Sequence, residues 1–93
     1  MKAIVSAGKR GTAVLYGDIE EAPVAGQPIT VRNARMILRW PAECGGLLGL
    51  AARGPAPGTV ITAAVPSTTP SCWTDWTEVS EAAAAAIDAW GAA

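Results

Sequence analysis

The chain has 93 residues, a length that suits one small domain spanning 1–93. Its 51% hydrophobic content, with four tryptophans, one tyrosine and no phenylalanine, is too apolar for a disordered chain. It has no histidine, two cysteines and a net charge of −1. That removes the commonest general base and the commonest metal ligand, so no enzyme, cofactor or metal site of the usual kinds is expected.

The charge is divided along the chain. Residues 1–53 hold all seven basic groups against Asp18, Glu20, Glu21 and Glu43, a balance of +3, whereas residues 54–93 hold four acids and no base, a balance of −4. The simpler consequence is attraction between the halves within one monomer. A seat for an anion or self-association into a homo-oligomer is the alternative. The opening "MKAIVSAGKRG" has an apolar run too short for a signal peptide, and no stretch reaches the roughly 20 apolar residues of a membrane helix. A cytoplasmic protein without membrane contact is therefore expected, with Cys44 and Cys72 as free, mostly buried thiols.

In chain order, "KAIVSA" (2–7) reads as a strand, "GKRG" (8–11) as a turn and "TAVLYGDIE" (12–20) as a second strand, bent or bulged at Gly17. "EAPVAGQP" (21–28) is a long connection. "ITVRNARMILRW" (29–40) is the richest strand signal: Ile29 and Val31 share one parity, and Ala34, Met36, Leu38 and Trp40 the other. A bulge near Arg32 and Asn33, with Asn33 left-handed, would let both halves face one core. Arg35 and Arg39 then lie on the outer face, their stems shielding the sheet or their heads binding a ligand.

"PAECGG" (41–46) reads as a turn, "LLGLAAR" (47–53) as a short buried strand, "TVITAAV" (59–65) as another strand, "PSTTPS" (66–71) as a loop and "CWTDWTEV" (72–79) as a last strand. The one helix expected runs from an N-cap at Ser80 to a stop at Gly91, with Ala83, Ala86, Ile87 and Trp90 on its inner face. The sum is an α+β, mainly β domain: five or six short strands in an antiparallel sheet or barrel-like arrangement, with one C-terminal helix.

The block "CGGLLGLAARGP" (44–55) lacks the lysine of a P-loop, and its glycines do not match G-x-G-x-x-G. It reads instead as a buried segment in which the backbone comes close at Gly49. Arg53, at the end of that segment, would bridge to Glu43 or Asp75, or hold a phosphate or a partner carboxylate.

"ARMILRW", then "GLLGLAARGP", a β-rich stretch and a helix ending "AIDAW" together resemble a family of small phage and prophage proteins of unknown function. The matching positions are Ala34, Met36, Trp40, Gly46, Gly49, Leu50, Ala51, Gly54, Pro55 and Trp90. The resemblance spans about residues 12–90 and is weakest from Thr59 to Val79. It brings no catalytic residues. It implies action by binding: a host protein such as a defence complex first, a sequestered nucleotide signal second, phage assembly third. Protein binding would use Trp40, Trp73 and Trp76 where exposed. A nucleotide pocket would need Arg35, Arg39, Arg53 and Trp40 together. An isoelectric point near 5.2 disfavours nucleic acid.

Overall fold

A computed structural model describes residues 1–93. Strands β1 (Lys2–Ala7), β2 (Ala13–Asp18) and β3 (Val31–Arg39) lead to a 3-10 turn, Ala42–Cys44, and helix α1 (Gly46–Arg53). Strands β4 (Val60–Ile61), β5 (Val65–Thr68) and β6 (Trp73–Glu78) follow, and helix α2 (Glu81–Asp88) ends the series. The fold is α+β and mainly β: six antiparallel strands in one open sheet, ordered β4-β3-β2-β1-β6, with β5 also paired to β3.

The phase shift in β3 is real. Arg32 pairs with Asp18 and Arg35 with Tyr16, so two residues of β3 oppose Gly17 alone. Asn33, the single non-glycine residue with positive φ (50°), absorbs the extra residue, and its Nδ2 donates to Asp18 Oδ2 at 3.3 Å. A side chain at Gly17 would run into the Arg32 carbonyl, so glycine is required where the bulge presses the strands together. Val31 and Ala34 consequently share one buried cluster. The inner set expected after the bulge does not continue, however: Leu38 is exposed, Ile37 is buried on the helix side, and Trp40 packs there too, because both faces of this central strand are covered.

That cluster is only one of two. Ala3, Val5, Ile19, Ile29, Val31 and Ala34 lie on a face with no helix. It is covered by the 19–30 loop and by the half-buried Trp73 and Trp76. The Trp73 indole N–H donates to the Gln27 carbonyl at 2.7 Å and holds the loop down. Ile4, Val14, Tyr16, Ile37, Leu50, Ile61, Val79, Ala83 and Ile87 belong to the second cluster, between the sheet and both helices.

The "LLGLAAR" segment is α1 rather than a strand, which gives the protein two helices instead of one. Gly45 and Gly46 (φ 81° and 70°) turn the chain into it, and Gly54 (φ 89°) ends it by donating its N–H to Leu50 O. Leu47, Leu50 and Ala51 supply its inner face. The close approach at Gly49 exists: a Cβ there would collide with the Cys44 carbonyl. Residues 60–68, expected as a strand and a loop, form β4 and β5, two pieces of one edge broken at residues 62–64.

Helix α2 starts as expected, with Ser80 Oγ accepting from Ala83 N at 3.1 Å. It ends at Asp88, short of Gly91, whose φ is not left-handed. Ser80 also serves α1. Its N–H donates to Ala51 O and its hydroxyl to Ala52 O, both at 2.9 Å, so one residue satisfies the end of one helix and the start of the next.

Candidate protein-binding edge

The residues singled out from the sequence do not converge. Arg35, expected on an outer face, is only 7% exposed and points under α2. Its Nη1 donates to Ile87 O at 2.5 Å, its Nη2 to Trp90 O at 2.8 Å and its Nε to Thr62 O at 2.7 Å. Helix α2 has no basic residue in its last turn; Arg35 supplies that charge from the sheet and satisfies its terminal carbonyls. The break between β4 and β5 is what frees Thr62 O to accept. The Thr62 hydroxyl meanwhile accepts from Met36 N at 2.9 Å and keeps β3 paired across the gap.

Arg53, expected at a strand end bridging to Glu43 or Asp75, sits at the end of α1 and donates to Cys44 O at 3.0 Å. Arg39 is exposed at the end of β3, and Trp40 packs half-buried on the helix-side core. The four groups proposed for a nucleotide pocket thus occupy separate places. Cys44 is buried, but Cys72 is exposed, against the expectation of two buried thiols; neither is in a disulfide.

One polar network ties the first and last elements. Tyr16, fully buried on β2, donates to Asp88 Oδ1 at 2.9 Å. Lys2 Nζ lies 3.1 Å from Asp18 and 3.7 Å from Asp88. Burial, then the hydrogen bond to Asp88 and its charge, push the Tyr16 phenol far above its ordinary pKa. For Asp18, burial alone would raise the pKa, but hydrogen bonds from Asn33 and Lys2 outweigh it and hold the carboxyl below its usual value. These groups serve packing.

Trp73 and Trp76 do come together, on β6. This strand pairs only with β1, and its other edge is free. The bond from Val79 N to Lys2 O at 2.9 Å sets the antiparallel alternation. Val79, Thr77 and Asp75 turn their amides to β1, and Trp76 and Glu78 turn theirs outward. The opposite edge is guarded: Ala92 bridges to Ile61, Ala93 N donates to Ile61 O, and β5 carries Pro66.

Beside the free edge, on its helix side, lies a groove of about 330 Å³ lined by Leu48, Ala51, Ala52, Thr77, Glu78, Val79 and Ser80. Leu48 is 71% exposed at its rim. Sequence reasoning missed Leu48 because it placed this segment on a strand; the Leu47, Leu50 and Ala51 spacing was the available signal. A larger concavity of about 440 Å³ lies within the 19–32 loop and gathers Glu20, Glu21 and Arg32, but none of the tryptophans.

No helix is long and apolar enough to cross a membrane. A family model described as a domain of unknown function (DUF6948) matches residues 1–90. No curated protein and no solved structure matches the chain.

Proposed function

The chain belongs to the DUF6948 family, a domain of unknown function, and from that premise we propose that it works by binding a partner protein, not by catalysis. The observation that carries this is the free β6 edge, with outward amides at Trp76 and Glu78 and the exposed Leu48 beside it. A sheet edge of this kind accepts an extended segment through main-chain hydrogen bonds, while neighbouring apolar surface adds affinity. The buried ionisable groups support binding over chemistry, since Arg35 and Tyr16 are each committed to structural partners.

The resemblance of the G-x-x-GLA-x-x-GP block supplies the setting: a phage or prophage accessory protein in the host cytoplasm, whose target is a host protein such as a defence complex. The test is the plating efficiency of a phage restricted by an active CRISPR effector, on hosts expressing the wild type, Leu48→Asp or Glu78→Pro. Both substitutions are exposed, and Pro at position 78 removes an outward N–H without breaking the β1 ladder. The wild type should raise plating at least about tenfold, and both variants should lose that gain, as expected when anchors of a protein interface are removed. Variants that protect fully, or a wild type that never does, would overturn the proposal. Native mass spectrometry showing an added few hundred daltons would replace it with nucleotide sequestration.

A further inference from the structure

The charges around the free edge narrow the partner. Asp75 and Glu78 stand exposed on β6, and Glu81 opens α2 next to it. None of the three is in an ion pair, and residues 54–93 contain no lysine or arginine. The nearest cation on β1, Lys2, is already held between Asp18 and Asp88. An added strand would therefore run along a seam of unopposed negative charge.

We infer that the β6 edge takes up an extended segment of a partner protein, paired as a further strand, whose charged side chains are lysine or arginine. One apolar side chain of that segment fills the groove beside Leu48. This rests on the protein-binding role proposed above and specifies its partner.

Each element of the site selects one feature of the segment. The outward N–H and C=O groups of Trp76 and Glu78 require an extended backbone with its own groups free. Side chains of a strand alternate between faces, so those on the helix side meet Leu48, Ala51 and Val79, and those on the other side meet Trp76. Asp75, paired opposite Ser6, stands on the helix face and Glu78, opposite Ala3, on the loop-covered face. Each therefore favours a cationic neighbour on its own face of the added strand and repels an anionic one. A second copy of this chain is a poor occupant, because pairing β6 with β6 lines four carboxylates along one seam.

The test uses two nine-residue peptides of alternating valine and threonine. One has two threonines and one valine replaced by lysine so that cations project from both faces, the other the same three replaced by glutamate. A third peptide is the lysine form N-methylated on alternate amides. Each is titrated into the 15N-labelled full chain. The lysine peptide should shift the amides of Trp76 and Glu78 and slow their exchange. It should bind about tenfold tighter than the glutamate peptide, which is what two or three partly exposed ion pairs supply. It should lose that binding on N-methylation and weaken in high salt.

The double variant Asp75→Lys, Glu78→Lys should reverse the preference. Equal binding of both peptides at β6 would overturn the cationic partner and leave the binding edge standing. No shift at β6 with any peptide would overturn the strand addition itself. Plating that still depends on Leu48 in that case would leave the protein-binding role in place.

Discussion

On one face of the sheet two helices seal a core by directed bonds: Arg35 closes the end of α2, Ser80 joins the end of α1 to the start of α2, and Tyr16 reaches Asp88. On the other face a loop and two half-buried indoles lie over a smaller cluster, the loop pinned at its middle by the bond from Trp73 to Gln27 and at its ends by bonds to Met1, Thr69 and Pro70. One sheet thus carries a locked side and a latched side. A sheet can bury both faces without a helix on each, but the loop-covered face depends on a few large side chains and is expected to open first.

The sharpest break in this contrast is Arg35→Ala. It removes three bonds to the Thr62, Ile87 and Trp90 carbonyls, the last two partly or wholly enclosed by α2, and should cost about 3 kcal/mol in urea unfolding. Bonds from a charged donor contribute about 1.5–3 kcal/mol each, but Ile87 O keeps the Trp90 N–H and the other two carbonyls are only partly buried. A cost under about 1 kcal/mol would show that the helix face does not depend on these bonds. Next comes Trp73→Ala, expected to cost about 2 kcal/mol because the indole is only half-buried. Its effect should be local: faster hydrogen exchange at Ile29 and Val31, with Leu50 and Ile87 unchanged. Trp73→Phe, which keeps most of the packing and loses the Gln27 bond, should cost about 1 kcal/mol. Equal acceleration on both faces would erase the distinction.

Ser80→Ala should cost about 1 kcal/mol and speed exchange in the first turn of α2, on the locked side alone. The smallest effect is the pH dependence set by Asp18, at the strand end where Lys2 and Asn33 meet. Its folded pKa lies below the ordinary 3.8, so its stabilisation is fully present above that value and is lost as pH falls through the folded pKa. Asp18→Asn should flatten the acid limb of a stability-against-pH curve below about pH 4 and leave the neutral region level. An unchanged acid limb would show that the Lys2 and Asn33 contacts contribute nothing there.

Much of the sheet was legible in the residues. The strands at 2–7 and 12–20, the register shift at Asn33, the irregularity around Gly17 and the Ser80 cap all have local causes, and local causes leave local patterns. The 46–53 segment misled because a short apolar run fits a buried strand or a helix equally well until its bounding glycines are weighed. Arg35 misled for a different reason. Its neighbours in sequence mark it as a surface charge, and the carbonyls that receive it come from residues 62, 87 and 90. The binding edge was half visible, as Trp73 and Trp76. Which strand would be left without a neighbour is a property of strand order, which no local stretch of the chain encodes.

The two glycines that admit no side chain, Gly17 against Arg32 and Gly49 against Cys44, have a bearing on any saturation-mutagenesis selection for function. Both would emerge as intolerant positions, although neither presents a group to a partner. Glu78, by contrast, would accept many residues and reject only those that block or repel an incoming strand. Ranking sites by depletion alone would therefore point to backbone crowding. Dividing each score by the yield of folded protein would return Gly17 and Gly49 to the background and leave β6 and Leu48 standing out.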